Sequence, residues 1–419
     1  MTALHTVPLK YIAAVNCDVL SEDTHPDRIL RYVDIGSVDS EGAIRSAEEV
    51  RFEAAPSRAR RLPKRGDTIL STVRTYLRAI AYISVDDPAL VCSTGFAVVR
   101  PGCRVDQRFL FYWLRSDPIV NEVCARSVGV SYPALNPSEV GRLPAPDGQL
   151  DWQRASARFL DRKTAAIDEL IGKKERLIEL LQEKRQALIT QAVTKGLDAK
   201  VPMKDSGIEW IGRIPRHWEV VRIGLLARIL NGSTPSRSET RYWAGGTIPW
   251  ISSGKVNDYV VSEADEYITP AALNECPLRL LPAQTVLVGM IGQGKTRGMS
   301  AITAIPACIN QNTAGIVVGV RVKSQFVLNV LTAAYESLRE FGRGGQQDAL
   351  NCEIIGAFPV PVPPPSEQDA INIRLTAEVG NLDQMKVALQ HSIDLLREYR
   401  QALITAAVTG QLDIPAEAA

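Results

Sequence analysis

An eighteen-residue stretch occurs twice in this chain. Residues 181–198, LQEKRQALITQAVTKGLD, return at 396–413 as LREYRQALITAAVTGQLD, with 13 identities in 18 positions and an offset of 215. A duplication of this quality constrains the architecture more than any composition, because both copies must satisfy the same local structure. The offset runs backwards without a gap. Gln153 lies over Gln368, Ala155 over Ala370, Leu160 over Leu375, Asp168 over Asp383 and Ile178 over Ile393. Further back, Ala134-Leu135-Asn136 meets Ala349-Leu350-Asn351, and Gly141, Pro144 and Pro146 meet Gly356, Pro359 and Pro361. The chain therefore reads as two copies of one unit, each a globular part, a proline hinge and a helical part.

The helical parts follow from periodicity. Apolar residues recur at alternating spacings of four and three, the seam of a coiled coil. The first stripe is Leu160, Thr164, Ile167, Ile171, Lys174, Ile178, Leu181, Arg185, Leu188, Ala192; the second is Leu375, Val379, Leu382, Lys386, Leu389, Ile393, Leu396, Arg400, Leu403, Ala407. Arg185 and Arg400 interrupt the seam at the same place, which suits a register-setting carboxylate partner or simple snorkelling to solvent. Pro146 and Pro363-Pro364-Pro365 mark the starts, and Gly196 and Gly410 the stops. About 44 helical residues at ~1.5 Å each make a rod of ~66 Å, too long for a small core and best buried against its twin. An antiparallel pair would place the globular parts at opposite ends, a spacer geometry.

The globular parts, 1–145 and 204–360, are expected to be strand-rich. Short β-branched runs (68–70, 79–83 and 96–99; then 285–288 and 315–318) are separated by glycine, proline, aspartate and asparagine. One helical stretch follows in each, near 106–116 and 323–340. The predicted fold is α+β, with domains at 1–145, 146–203, 204–360 and 361–419, the second and fourth being the helices with their linkers.

Of 419 residues, 45% are hydrophobic and 23% charged, which excludes disordered and disulfide-miniprotein classes. No apolar run reaches membrane-spanning length and Met1–Lys10 lacks signal-peptide character, so a cytoplasmic location with no membrane partner is expected. Net charge is +1, so any attraction to a polyanion must come from local patches. Seven scattered cysteines without a C-x-x-C pair read as buried, inert thiols, and four histidines show no ligand spacing, so no metal is expected.

Residues 289–296, Gly-Met-Ile-Gly-Gln-Gly-Lys-Thr, satisfy the phosphate-loop pattern G-x-x-x-x-G-K-[ST]. That pattern cradles phosphate only where a helix opens at its lysine, so that amides and dipole face the anion. Here Arg297–Pro306 comes next, with glycine, β-branched residues and proline, and reads as a second strand. A glycine-rich hairpin is expected, with a nucleotide hydrolase using Lys295 and Thr296 as the enzyme rival and a coiled-coil scaffold as the structural one. No G-x-S-x-G, H-E-x-x-H or strand-borne G-x-G-x-x-G occurs, which argues for a non-catalytic chain.

The stretch Asp205-Ser206-Gly207-Ile208-Glu209-Trp210-Ile211-Gly212-Arg213-Ile214-Pro215-Arg216-His217-Trp218, the run Ile248-Pro249-Trp250-Ile251, Pro364-Pro365-Ser366-Glu367-Gln368, and the doubled Arg-Gln-Ala-Leu-Ile-Thr helix ends resemble the DNA-specificity (S) subunits of Type I restriction-modification systems. The first copy departs at Leu150-Asp151-Trp152-Gln153, where Pro-x-x-Glu-Gln would stand. The resemblance implies two target-recognition domains, each reading half of a split site on double-stranded DNA, and helices that set the spacing and dock two methyltransferase (M) subunits. It implies further that M carries S-adenosylmethionine and modifies adenine, that restriction/translocase (R) subunits bring ATP and magnesium, and that this chain holds no cofactor.

Phosphate-positioning candidates are Arg58, Arg60, Arg61, Lys64 and Arg65, placed before a strand, and Arg74 and Arg78 in the first hairpin. Candidates for base edges in the second copy are Arg237, Arg241, Gln293, Lys295, Arg297, Gln346 and Gln347. Glu183, Arg185, Gln186, Glu398, Arg400 and Gln401, where the copies are most alike, are the partner-docking candidates.

Overall fold

The computed structural model of the chain describes residues 5–129, 132–292, 294–341 and 349–414. The chain divides into two compact units, Met1–Glu175 with Gln390–Ala419, and Arg176–Leu389. Both divisions fall inside long helices, so each unit holds one globular part and a stretch of each long helix. Four helices frame the two units: α1 (Gln107–Arg115), α2 (Leu150–Lys195), α3 (Ser324–Ala333) and α4 (Pro365–Val408).

In the first unit one antiparallel sheet has the order Ala13–Val15, Phe96–Pro101, Thr68–Ser71, Ile80–Tyr82. A second sheet has the order Glu48–Arg51, Ile29–Val33, Leu90–Ser93, Ala59–Arg61, its central pair parallel. The second unit repeats the plan. Its larger sheet runs Ala227–Asn231, Thr313–Val318, Val286–Gly289, Ser300–Thr303, Val260–Val261, and its smaller one Glu266–Ile268, Ile248–Ile251, Cys308–Ile309, again with a parallel pair. Thr68–Ser71, Val286–Gly289 and Ser300–Thr303 are buried at every position, so their apolar residues stand next to one another and do not alternate with polar ones. The expected helix of each globular part is present as α1 and α3, each followed by a second one, Asp117–Arg126 and Tyr335–Phe341.

α2 and α4 end where sequence grammar places their stops. Gly196 and Gly410 take left-handed φ of 74° and 72°, which side chains disfavour and which lets the chain turn off the helix. Pro365 opens α4, where its missing N–H costs nothing. The helices pair antiparallel. In the first unit Asp168 meets Arg400 at 2.8 Å and Glu175 meets Arg397 at 3.0 Å; in the second, Arg185 meets Asp383 at 3.4 Å while Ala192 and Leu375 line one groove. The seam holds at Leu160, Thr164, Ile167, Ile171 and Leu181, and at Leu375, Val379, Leu382, Ile393 and Leu403, all buried. Near the helix ends the stripe widens, Ile189, Val193, Ile404 and Val408 being buried beside the expected Ala192, Leu403 and Ala407. An α-helix drifts ~20° per heptad against a 3.5 repeat. In the second unit the core that receives Ile189 and Val193 also holds Trp218, Ile316, Phe326 and Phe358.

The seven cysteines are free. Cys92 and Cys308 are buried, and burial pushes their thiols up to about 12 and about 11. The expectation of uniformly buried thiols is corrected at Cys17 and Cys103, which are exposed at the strand ends of the first sheet.

Candidate nucleic-acid interface

Each globular part is fixed to its helices by the same polar devices. Gln153, fully buried in the first turn of α2, accepts from the Asp106 amide at 2.8 Å and donates to the Gly148 carbonyl. Gln368 does the same from α4, accepting from the Lys323 amide at 2.8 Å and donating to the Arg321 and Pro363 carbonyls. Gln401 donates to the Arg115 carbonyl at the end of α1, and Gln186 to the Thr332 and Ala333 carbonyls at the end of α3. These glutamines satisfy helix-terminal groups that lack an intrahelical partner, so they fix the docking angle of each globular part.

The seam arginines have carboxylate partners, Asp168 for Arg400 and Asp383 for Arg185, related by the same offset of 215. Snorkelling is therefore not their role. Of the six docking candidates, Arg185, Gln186, Arg400 and Gln401 are engaged within the chain; Glu183 and Glu398 are exposed on the helix surface.

The basic cluster of the first unit precedes the strand Thr68–Ser71 and includes a strand of its own. Arg60 and Arg61 lie in Ala59–Arg61. Arg58 donates to Asp34 at 2.9 Å and to the Tyr32 hydroxyl at 3.0 Å, and Arg60 packs over Phe52. Arg61 is half-buried, and burial lowers its pKa. Lys64 and Arg100 grip Asp18, both at 2.8 Å, and hold its carboxyl down at about 2. Arg65 is exposed. Arg74 and Arg78 bracket the turn Thr75–Leu77, both with left-handed φ, of 48° and 55°. Arg74 stacks on Tyr132 at 4.7 Å, and Arg78 meets Asp117 at 2.8 Å.

In the second unit Arg237 lies 3.9 Å over the Trp243 ring and donates to Glu266 at 2.8 Å. Arg241 meets Glu275 at 2.8 Å. The pattern Gly289–Thr296 forms the turn between Val286–Gly289 and Ser300–Thr303, an antiparallel pair; no helix opens at Lys295. The turn is pinned from below, Tyr335 donating to the Lys295 carbonyl at 2.7 Å and Arg339 to those of Gly294 and Arg297. Lys295 is exposed at its tip, whereas Arg297 is buried. Gln293, Gln346 and Gln347 lie outside the described residues.

The structure thus brings two loops together in each unit where an inner strand ends, Thr68–Ser71 in the first and Val286–Gly289 in the second. In the first unit the Leu135 amide donates to the Thr72 carbonyl and the Arg74 amide to that of Pro133; in the second the Leu350 amide donates to the Met290 carbonyl. Reading cations alone missed Tyr76 and Tyr132 on the first of these loop pairs, and the carboxylates Asp168 and Asp383. The 215 offset of the two aspartates was the available signal for the latter.

Residues 215–391 match the family described as Type I restriction modification DNA specificity domain. The specificity subunit of the Escherichia coli Type I restriction enzyme EcoR124I/EcoR124II is 22% identical over 63% of this chain and 61% of its own length. Two Methanocaldococcus jannaschii proteins are similar as well. The MjaIX specificity subunit is 31% identical over 38% of each chain, and the putative MjaX specificity subunit 24% over 83% of this chain and 79% of its own length. A chain from a type I R-M system, whose structure describes complex assembly and conformational transition, superposes over 98% of this chain with a TM-score of 0.79 at 23% identity. The HsdS subunit of Thermoanaerobacter tengcongensis covers 98% with a TM-score of 0.55. Residues 215–391 thus resemble a Type I DNA specificity domain, and the chain as a whole is similar to Type I specificity subunits. The match spans about three fifths of the length of the E. coli relative and under two fifths of MjaIX. Among the described residues, no group of histidine, cysteine and carboxylate side chains could hold a metal ion, and no helix is long and apolar enough to cross a membrane.

Proposed function

We propose that this chain is the sequence-reading, non-catalytic subunit of a Type I restriction-modification complex, each globular part reading one half of a bipartite site in double-stranded DNA. The observation that carries the reading is the duplication of one docking scheme, Gln153 with Gln401 and Gln368 with Gln186, around a helix pair. Two equivalent platforms suit two half-sites, and helices of fixed length suit a fixed spacer between them. The complex works in the cytoplasm, on the host's DNA. S-adenosylmethionine belongs to the M subunits, and ATP with magnesium to the R subunits; this chain carries no cofactor.

Two M subunits dock on the helices. Support comes from exposed apolar residues repeated at the offset of 215: Leu170 and Met385, 43% and 50% exposed, and Leu180 and Leu395, 43% and 50% exposed. Each unit presents one of each pair, as two identical partners require. Glu183 and Glu398 lie on these stretches.

The test is a genome-wide map of methylated adenines with and without this gene, followed by a paired insertion of four residues after Glu175 and after Leu389. These sites lie between the units, so neither core is interrupted. An insertion near Ala192 would instead disrupt the core containing Ile189 and Trp218. Four residues add ~6 Å of helix against ~3.4 Å per base pair, so the spacer should lengthen by about one to two base pairs with both half-sites unchanged. An altered half-site with an unaltered spacer would show that the helices are not the ruler. Tight magnesium-dependent ATP binding by the isolated chain would favour the hydrolase instead.

A further inference from the structure

The paired loops of the first unit carry more exposed apolar surface than a solvated turn needs. Tyr76 is 58% exposed, Leu77 45%, Val128 80% and Tyr132 65%. The turn that presents Tyr76 is held rigidly. The Leu77 amide donates to the Arg74 carbonyl and the Arg78 amide to that of Thr75; the Thr75 hydroxyl meets that of Ser127 at 3.0 Å, and Ser71 donates to the Val73 carbonyl at 2.6 Å. Two arginines in left-handed backbone, a conformation that strains a residue with a long side chain, close the turn on either side. Strain of this kind persists only where surrounding contacts over-determine it, and it clusters at binding sites.

The second unit answers differently. The corresponding loop, Met290–Met299, has glycines at 292, 294 and 298 and no aromatic residue, its exposed apolar side chain being Ile291. A partner protein that docks identically on both units needs chemistry present in both. DNA half-sites differ from one another, so chemistry present in only one unit fits DNA. An exposed aromatic flanked by guanidinium groups is also the combination that meets nucleic acid, because the cations face phosphate while the ring offers a π-face or a wedge to the base stack.

On this ground, and resting on the DNA-reading function above, we infer that Tyr76 enters the base stack of the first unit's half-site as a wedge. Arg74, splayed on Tyr132, holds the flanking phosphate, while Asp117 already compensates Arg78.

The test uses the full chain assembled with its methyltransferase subunits, and duplexes bearing 2-aminopurine at successive steps of each mapped half-site. Binding should raise the fluorescence at a step of the first unit's half-site other than the adenine that a methyltransferase subunit flips out. Tyr76→Ala should abolish that rise and weaken binding about tenfold, and Tyr76→Phe should restore both. A rise at that step that survives in Tyr76→Ala overturns the inference, as does loss of co-purification with those subunits at unchanged DNA affinity. A complex that protects no duplex at all would defeat the DNA-reading function itself; protection that persists with unchanged Tyr76→Ala fluorescence would defeat the wedge alone.

Discussion

The first unit fastens its globular helix to the long helices with charge, and the second with amides. Along α1, Arg108 and Tyr112 meet Asp161, and Tyr112 also meets Thr164; at the matching positions of α3, Gln325 and Asn329 meet Tyr259, and Asn329 donates to Asn372 at 3.0 Å. Burial pushes the Tyr112 hydroxyl up to about 12. Arg115, buried at the end of α1, has its pKa drawn down to about 10 by desolvation and by Arg400, and donates to the Ser40 and Glu41 carbonyls. No buried arginine stands at the corresponding end of α3, which closes on Thr332 and Ala333. The units also differ at the start of the long helices. Glu367 accepts from the Trp218 indole at 2.9 Å and meets His217, whereas the first copy has Trp152, packed edge-on against Phe109 at 5.1 Å. The same backbone frame therefore tolerates different side-chain solutions where buried groups are satisfied locally, and repeats its glutamines where helix ends must be met from outside.

The equivalence of the units is tested most severely at those glutamines. Gln153→Ala and Gln368→Ala each strand a buried amide and at least one carbonyl, and each should cost about 3 kcal/mol. Native-state hydrogen exchange resolved by unit should show the loss confined to the unit carrying the substitution; a loss in one variant only would break the comparison.

The seam pairs should separate the units. The Arg400 side chain is 11% exposed and that of Arg185 24%, so removing the carboxylate leaves a more costly orphan in the first unit. Asp168→Ala should cost about 2 kcal/mol and Asp383→Ala less than about 1, read from the same exchange experiment. Equal effects would mean that burial does not set the difference.

A smaller, pH-dependent difference comes from Asp18. Lys64 and Arg100 hold its carboxyl at about 2, below its usual 3.8. The contribution is fully present above pH ~4 and is lost as pH falls through 2. Acid titration followed by near-ultraviolet dichroism should show this loss, and Asp18→Asn should flatten that part of the curve. An unchanged profile would remove Asp18 from the acid response of the first unit.

The smallest effects concern single phosphate contacts. Lys295→Ala should lower the slope of log affinity against log salt by about 1, with ATP hydrolysis by the assembled complex intact. Arg58→Ala should change the slope less, because Asp34 already holds that guanidinium at 2.9 Å. Loss of ATP hydrolysis with unchanged DNA affinity in Lys295→Ala would reverse the reading of this turn.

The duplication, the two long helices with their glycine stops, the buried strands and the hairpin at 289–296 were all legible in the sequence. Each depends on periodicity, backbone preference or identity at a fixed offset, and these are properties of neighbouring or aligned residues. The tertiary structure alone decided which cations are compensated. Asp34 reaches Arg58, Asp117 reaches Arg78 and Asp168 reaches Arg400 across 24, 39 and 232 positions, separations that carry no local signature. It also decided that Tyr76 faces solvent while Tyr112, of the same type, is buried, because burial follows from what the fold lays over a side chain and not from the side chain itself.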